Sequence, residues 1–394
     1  MASNPVLKRA AARSVRYDTV EAMIAALDPS YPVYCLRSSV LRERTRRFLD
    51  SFPGTVLYAV KCNPHPLVLR ALYEEGIRHF DTASLPEIAQ VHEMFPDATA
   101  YFHHPVKSRA VIVNAYEVYG VRHFVVDHID EFRKLVSETG ARDLIIMVRM
   151  ATPESGAAYN LSAKFGARPD EAVMLLKTAD EEGYRTGLAF HVGSQCLNPA
   201  AFKIALDIAN RVLDASGAKI DYLDVGGGFP AAYVGRETPL LEDYFAAIRT
   251  GLEQLKLPQG CEVLCEPGRT LVANGCTLVT QIHLRKGDSL YLNDGIYQSF
   301  SELVAGYIRL PARLLRPNGA PSERSMDFTI YGPTCDSLDV LPVPVHLPAD
   351  AREGDWIEFG RIGAYSNAVS TRFNGFYTDT FVEIGDASWP PRNV

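Results

Sequence analysis

Residues 55–63 read TVLYAVKCN, an apolar run with a lysine, Lys61, near its end. Strands that are buried on both faces have such continuous apolar sequences. In barrels and open α/β sheets, functional side chains follow the carboxyl ends of the strands. The pattern therefore predicts that the aliphatic stem of Lys61 lies in the core and that its amine lies at a functional site. Enzymes that use a lysine as a Schiff-base nucleophile have this arrangement. Taken alone, Lys61 fits a solvated strand end better, because most lysines are exposed.

Seven more β-rich runs follow this one, at residues 78–83, 98–104, 122–127, 144–150, 186–192, 222–228 and 262–268. Amphipathic helical patterns lie between them, and several end at a glycine, as helices commonly do. Eight strands, each followed by a helix, predict an α/β fold of the (β/α)8 TIM-barrel type, with its site at the carboxyl ends of the strands. A doubly wound sheet has the same alternation of strands and helices, so it remains an alternative to the barrel at this point.

The predicted secondary structure changes after Cys276, where short strand patterns alternate with Gly, Pro and Asp turns and helical patterns become rare. This predicts a second, C-terminal all-β domain, and the strand-like segment at 31–38 is expected to join its sheet. We therefore expect a barrel over residues 37–275 and a β-sheet domain formed by 1–36 plus 276–394. The length of 394 residues suits one large domain with a smaller companion.

The amino-terminal segment does not resemble a secretory signal, because no apolar stretch with a small-residue cleavage site follows its basic residues. Four basic residues raise the alternative of a transit peptide: Lys8, Arg9, Arg13 and Arg16. Asp18 and Glu21 weaken it, because they follow at once. No apolar run approaches the roughly 20 residues of a membrane span. We expect a cytoplasmic protein without a membrane partner.

Composition narrows the ligand class. The seven cysteines are odd in number and form no C-x-x-C pair, which argues against a disulfide framework and a structural zinc site, and we predict no metal. Most of them are expected to be small core residues. A net charge of −7 without a basic tract argues against nucleic acid. A small molecule is the expected partner.

Polar and glycine-rich residues follow the predicted strands, where a barrel would gather them at one mouth: Lys61, Asp81, Arg149, His191, Ser194, Gly227, Gly228, Glu266, Gly268 and Arg269. The three glycines of DVGGGFP leave backbone N–H groups free to approach a phosphate, although neither G-x-G-x-x-G nor P-loop spacing is present. A Schiff-base lysine beside a phosphate cradle suggests pyridoxal 5'-phosphate, with a carboxylate such as Glu266 on the pyridine nitrogen. Singly, Asp81 fits a helix cap and His191 a core histidine.

Ten motifs, in this order, resemble those of the pyridoxal-phosphate decarboxylases that act on ornithine, lysine, arginine and diaminopimelate: YAVKCN, FDTAS, KFG, HVGSQC, DVGGGFP, CEPGR, NDGIY, GPTCDSLD, GAY and FNGF. The fold of that family is similar to alanine racemase. The resemblance spans roughly residues 31–376 and is closest to the ornithine and lysine decarboxylases.

The resemblance implies that Lys61 binds the cofactor covalently, that Glu266 faces the pyridine nitrogen and that His191 stacks on the ring. It places Asp81 and Arg149 beside Lys61, and it assigns the phosphate to Ser194, Gly227, Gly228, Gly268, Arg269 and Tyr365. Further, it implies a homodimer with shared active sites.

In such a dimer Cys335 and Asp336 enter from the other subunit, the cysteine to protonate the product carbon and the aspartate to meet the distal ammonium of the substrate. Without the resemblance, Cys335 would be predicted to be a buried small residue and Asp336 a turn residue.

One departure concerns the substrate. Ornithine decarboxylases carry a second acidic residue after the NDGIY motif, and here Gly306 occupies the matching position. Glu302, one helical turn earlier, is a candidate replacement and fits a solvated glutamate on a loop equally well. A further alternative is a pocket that accepts another amino acid, with a different distal group. We predict decarboxylation of ornithine or lysine to a diamine, in polyamine biosynthesis, and place diaminopimelate second because CDSLD has aspartate where that group carries glutamate.

Two other classes remain as alternatives. Glu266 argues against a racemase, which usually pairs the pyridine nitrogen with arginine. The presence of Lys61, Glu266 and Arg269 argues against a non-catalytic regulator, because such relatives tend to lose cofactor residues.

Overall fold

The computed structural model describes residues 15–159, 161–306, 308–386 and 389. Eight parallel strands close into a barrel, because the last of them pairs with both the seventh and the first. The strands are β3 (Thr55–Ala59), β4 (His79–Thr82), β5 (Thr99–Phe102), β6 (His123–Val126), β7 (Ile145–Arg149), β8 (Arg185–Ala189), β9 (Tyr222–Asp224) and β10 (Glu262–Cys265). All eight coincide with the predicted runs. The closed order confirms the barrel and excludes the doubly wound sheet.

Helices connect the barrel strands and begin and end where the sequence indicates. Pro66 and Pro169 lie in the first turns of their helices, and Gly140 and Gly217 end theirs in the left-handed conformation at φ 58° and 65°. The helices are α1 (Val20–Leu27), α2 (Ser38–Ser51), α3 (Pro66–Glu74), α4 (Leu85–Met94), α5 (Arg109–Glu117), α6 (Ile129–Thr139), α7 (Pro169–Glu181), α8 (Ala200–Ser216), α9 (Leu241–Leu252), α10 (Arg269–Val272) and α11 (Ser301–Gly306). In the described part of the chain, none of them combines the length and apolar composition that a membrane span requires.

A mixed sheet of nine strands forms the second unit: β1 (Arg16–Tyr17), β2 (Val33–Leu36), β11 (Cys276–Lys286), β12 (Ser289–Leu292), β13 (Ala312–Leu315), β14 (Ser325–Tyr331), β15 (Val345–Pro348), β16 (Trp356–Phe359) and β17 (Phe381–Ile384). The long strand β11 organises it, because it pairs antiparallel with β2, β12 and β16. The amino-terminal strand β2 thus joins the C-terminal sheet, which confirms that prediction.

The two boundaries predicted between barrel and sheet domain meet in space. Leu36 and Cys276 are register partners, and the N–H of Arg37 donates to the carbonyl of Gly275 at 2.8 Å. The exact division at 36/37 and 275/276 stays a prediction. Residues 1–14, which include most of the segment considered as a signal or transit peptide, lie outside the described residues.

Alternation along the barrel strands separates two apolar cores. One set of side chains fills the barrel interior and forms a cluster of its own: Leu57, Tyr101, Val125, Ile145, Met147, Ala189, Tyr222 and Leu264. The opposite faces of the strands contribute side chains such as Tyr58, Phe80 and Phe124 to the large core beneath the helices. Because side chains fill the interior, the site has to lie at the carboxyl ends of the strands.

Candidate active site at the mouth of the barrel

Lys61 follows β3 in a single 3-10 turn, Val60–Cys62, and its amine lies at the mouth of the barrel. The register Ala59↔Asp81 places the end of β4 beside it, and Lys61 Nζ is 2.6 Å from Asp81 Oδ2. The side chain of Lys61 is 38% exposed, whereas that of Asp81 is 1% exposed. Asp81 does not cap the following helix, because Ser84 does. Lys61 is therefore a partly exposed strand-end lysine whose amine is held by a buried carboxylate.

The electrostatics of this pair keep the amine charged. Burial lowers the pKa of Lys61, but the negative charges of Asp81 and Glu266 outweigh burial and leave the pKa above its ordinary value. The second oxygen of the buried carboxylate, Asp81 Oδ1, has no hydrogen-bond partner in the described structure. The pair therefore retains an acceptor for a further donor.

Glu266 follows β10 and faces the same space, with a carboxylate oxygen within 4.8 Å of one on Asp81. Its Oε1 is 2.6 Å from Nδ1 of His103, which is buried and lies 3.4 Å from Asp224 Oδ2. His103 is a residue that the sequence interpretation missed. It belongs to a quoted strand run and follows β5 as Glu266 follows β10, so the strand-end position was the available signal.

Asp81, His103 and Glu266 are also spaced as metal ligands could be. However, Asp81 is already engaged by the Lys61 ammonium, and Glu266 by the His103 ring.

His191, after β8, is held as a neutral ring. Its Nδ1 accepts a hydrogen bond of 3.0 Å from the N–H of Gly193, so Nε2 carries the proton. Burial, together with the positive charges of Arg149 and Lys61, holds its pKa well below the ordinary value. As a residue His191 is partly exposed, so it lies at the edge of the core. Arg149 itself stacks over Phe165, with 5.7 Å between Cζ and the ring centroid.

The glycines bring the backbone closer than any side chain would permit. A Cβ on Gly227 would lie 2.5 Å from the carbonyl oxygen of Glu266 and 3.0 Å from His191 Nε2. Gly228 has φ +112°, and a Cβ there would lie 2.5 Å from the carbonyl oxygen of Gly193. A Cβ on Gly268 would lie 2.8 Å from the Cβ of Cys62. These positions therefore require glycine, as an anion cradle does.

Arg269 organises the predicted phosphate end. It is buried, and its Nη2 lies 3.2 Å from Ser194 Oγ, while its Nη1 donates to Tyr233 at 3.0 Å. Tyr365 lies under the guanidinium, with 5.0 Å from Cζ to its ring centroid. Arg269 Nε has no hydrogen-bond partner among the described residues. One donor of the guanidinium therefore remains for a further acceptor.

Glu302 contacts Arg269 through both carboxylate oxygens, with 2.8 Å between Oε2 and Nη1. It thus lies at the predicted phosphate arginine, and a role with a substrate amine would require it to leave this ion pair. Gly306 ends the same short helix, α11, and a Cβ there would lie 3.0 Å from Ile308 Cδ1 and 3.3 Å from the Tyr159 hydroxyl oxygen.

Cys335 and Asp336 lie apart from this group, with no hydrogen bond to it in the described part of the chain. The thiol of Cys335 is exposed, so its interpretation as a buried small residue is wrong, whereas five other cysteines are buried as expected. Asp336 accepts hydrogen bonds from Leu338 N and the Tyr297 hydroxyl, and these bonds hold its pKa below the ordinary range.

The residues fit pyridoxal 5'-phosphate. A charged lysine stands beside a carboxylate, a neutral imidazole adjoins the glycine turn, and an arginine with an unpartnered buried Nε stands at the anion end. The cradle of Gly227, Gly228 and Gly268 would be filled by any Cβ.

Comparison with known proteins agrees with this geometry. Residues 38–273, more than half of the chain, match the family described as pyridoxal-dependent decarboxylase, pyridoxal binding domain, and the chain belongs to this family. It is 32% identical over 344 residues to an ornithine decarboxylase of Panagrellus redivivus, covering 81% of this chain and 77% of that protein. It is 35% identical over 332 residues to a lysine/ornithine decarboxylase of Selenomonas ruminantium, covering 82% and 81%.

A solved structure extends the likeness to the whole fold. The lysine/ornithine decarboxylase of Vibrio vulnificus, complexed with cadaverine, superposes with a TM-score of 0.80 at 32% identity, covering 94% of this chain and 100% of that one. The protein is therefore a pyridoxal-phosphate-dependent decarboxylase, and the sequence-based prediction of its family, cofactor and enzyme class is confirmed.

Proposed function

We propose that this protein removes the α-carboxylate of a basic L-amino acid, ornithine or lysine, to give a diamine, and that it does so in the cytoplasm as a step of polyamine biosynthesis. The observation that carries the proposal is the pair of Lys61 Nζ and Asp81 Oδ2, 2.6 Å apart, at a mouth that also contains Glu266. The relatives named as ornithine and lysine/ornithine decarboxylases support the substrate class.

The cofactor, when bound, supplies an electron sink for the pair of electrons left when CO₂ departs. In our proposal Lys61 holds it covalently and Glu266 meets its pyridine nitrogen. The neutral His191 would cover the ring face without adding charge. Ser194, Arg269 and the glycine turn would hold the phosphate, which fixes the orientation of the scissile bond.

Asp336 is proposed to receive the distal ammonium of the substrate, because its hydrogen bonds hold the carboxylate in the ionised form. Cys335 would return a proton to the carbon that lost CO₂. Both act from the partner subunit in this proposal. The support is an exposed apolar surface beside them, formed by Leu338, Phe373, Phe376 and Tyr377, which are 40–67% exposed. Such a surface is typical of an interface.

The first experiment measures CO₂ release with product identification, for ornithine, lysine, arginine, diaminopimelate and diaminobutyrate. We expect release from ornithine or lysine. Gly306→Asp should strengthen the preference for a distal cation, and Gly306→Ala is the control for the added Cβ. A wild-type preference for a substrate without a distal cation would overturn the role of Asp336.

A second experiment tests the nucleophile. Borohydride reduction of the loaded enzyme should attach the cofactor to the peptide that contains Lys61, and Lys61→Ala should take up no label. Lys107 is the control position, because its side chain is buried and its amine is already paired with Glu131 at 3.0 Å. Labelling of the Lys107 peptide would contradict the assignment.

The shared site can be tested by mixing subunits. Lys61→Ala and Cys335→Ala should each be inactive alone, whereas a mixture that exchanges subunits should regain part of the activity through heterodimers with one intact site. If a mixture shown to exchange subunits stays inactive, the sites are not shared.

A further inference from the structure

His103 is a buried, titratable group for which the proposed reaction has no role. It follows β5 at the mouth of the barrel, and its side chain is 1% exposed. Nδ1 lies 2.6 Å from Glu266 Oε1 and 3.4 Å from Asp224 Oδ2. Asp224 is fully buried, and its other oxygen accepts from Gly226 N at 2.7 Å. One ring nitrogen therefore meets two carboxylates out of contact with solvent.

This environment favours the imidazolium form. Burial lowers the pKa of His103, but the adjacent carboxylates of Asp224 and Glu266 outweigh burial and raise the pKa to about 10. Three other groups face His103. Asp81 adds negative charge, and the ring of Tyr101 lies edge-on, with 5.5 Å between the ring centroids. His123 is neutral, because burial lowers its pKa to about 3. His103 is thus a cation within a group of three acids, one of which, Asp81, is also paired with Lys61.

The two oxygens of Glu266 have different surroundings. Oε1 accepts from His103, whereas Oε2 has no recorded hydrogen bond in the described part of the chain. A hydrogen bond between two charged groups is about twice as strong as a neutral one, so the contact with His103 fixes the rotation of the carboxylate. Oε2 is left to meet a donor in the mouth.

We propose that His103, with the carboxylate of Asp224 beside it, is a positioning residue that fixes the carboxylate of Glu266 and directs its free oxygen towards the pyridine nitrogen of the cofactor. The inference rests on the proposed role of Glu266. Without His103, the carboxylates of Glu266 and Asp224 would stand side by side without the cation between them, and the rotation of the Glu266 carboxylate would no longer be fixed. Loss of His103 would therefore weaken the contact between Glu266 and the pyridine nitrogen.

The first test uses the protein without cofactor. In NMR of protein with ¹⁵N-labelled histidine, one ring should remain imidazolium at pH 8.5, and its signal should be absent in His103→Asn. Asp224→Asn should lower the pKa of that ring by more than one unit. A His103 signal that titrates below pH 7 in the wild type would overturn the proposal, whatever reaction the enzyme performs.

The second test measures the NMR signal of the ring nitrogen in protein loaded with ¹⁵N-labelled cofactor, together with the dissociation constant of the cofactor. His103→Leu should move the ring-nitrogen signal towards that of an unprotonated pyridine and raise the dissociation constant of the cofactor about tenfold. His103→Asn, which keeps a donor near Nδ1 but lacks the charge, should give an intermediate shift.

His123→Asn is the matched control, because His123 is a buried neutral histidine close by, and it should leave the signal unchanged. A wild-type ring signal in folded, loaded His103→Leu would refute the positioning role. Failure of the wild type to bind the cofactor would instead count against the proposed function, and the titration in the apoprotein would still decide the charge of His103.

Discussion

The glycine turn after β9 allows a quantitative prediction about cofactor binding. In Gly227→Ala the new Cβ would lie 2.5 Å from the carbonyl oxygen of Glu266, whereas ordinary contacts begin at 3.4 Å, so the carbonyl has to move by about 0.9 Å. Movement of the Glu266 backbone would carry its carboxylate away from the position proposed for the pyridine nitrogen. The Cβ also lies 3.0 Å from His191 Nε2, which blocks the alternative shift. Overpacking of this kind costs about 1–3 kcal/mol.

If this cost falls on the loaded state, the dissociation constant of pyridoxal phosphate rises by roughly 5- to 150-fold. The assay is a fluorescence titration of apoprotein with the cofactor, together with thermal unfolding of both forms. Gly227 does not have a positive φ, so backbone strain makes no contribution.

Gly235→Ala is the control for this series. Gly235 has φ +74° with no atom within 4 Å of a Cβ, so the substitution should cost about 1–2 kcal/mol of stability and leave cofactor affinity unchanged. Wild-type affinity in Gly227→Ala, with unchanged unfolding temperature, would refute the steric reasoning.

Two further predictions concern buried charges of the sheet domain. Glu358→Leu should lower the free energy of unfolding by about 3–5 kcal/mol, because Arg37, 1% exposed and 3.0 Å away, would lose its carboxylate partner. Urea unfolding measures this loss. Glu242→Gln, at the exposed pair with Arg47, should show no comparable loss. Burial raises the pKa of Asp294 to about 7, so its contribution to stability is complete below pH about 4 and is lost as the pH rises through 7. Asp294→Asn, which can keep both hydrogen bonds to Ser299, should flatten this part of the pH profile, and an unchanged profile would contradict the raised pKa.

Much of the fold was readable from local sequence. The eight barrel strands coincide with runs of buried residues, and Gly140 and Gly217 end their helices as predicted. These features depend on neighbouring residues, because burial patterns and left-handed caps are local properties of the chain. Lys61 was identifiable for the same reason, since its position at a strand end predicts where its amine lies.

The contacts of Glu302 were not readable from the sequence. One helical turn from Gly306, it was a candidate for contact with the substrate or for a solvated position, yet it lies against Arg269, 33 residues away in sequence. A buried guanidinium attracts any carboxylate within reach, and the reach is set by how α11 packs over the mouth. The exposure of Cys335 is likewise a property of the folded surface.

By itself, then, the sequence determined the eight alternating strands and helices, the position of Lys61 at the end of the first of these strands and the glycine-rich turn at 226–228. Only the tertiary structure decided that His103 meets Glu266, 163 residues further along the chain, at 2.6 Å. Strand and helix patterns arise from local spacing, but a contact across the mouth exists only after closure of the barrel brings β5 and β10 to the same end. The charges that surround Lys61 therefore depend on the closed fold.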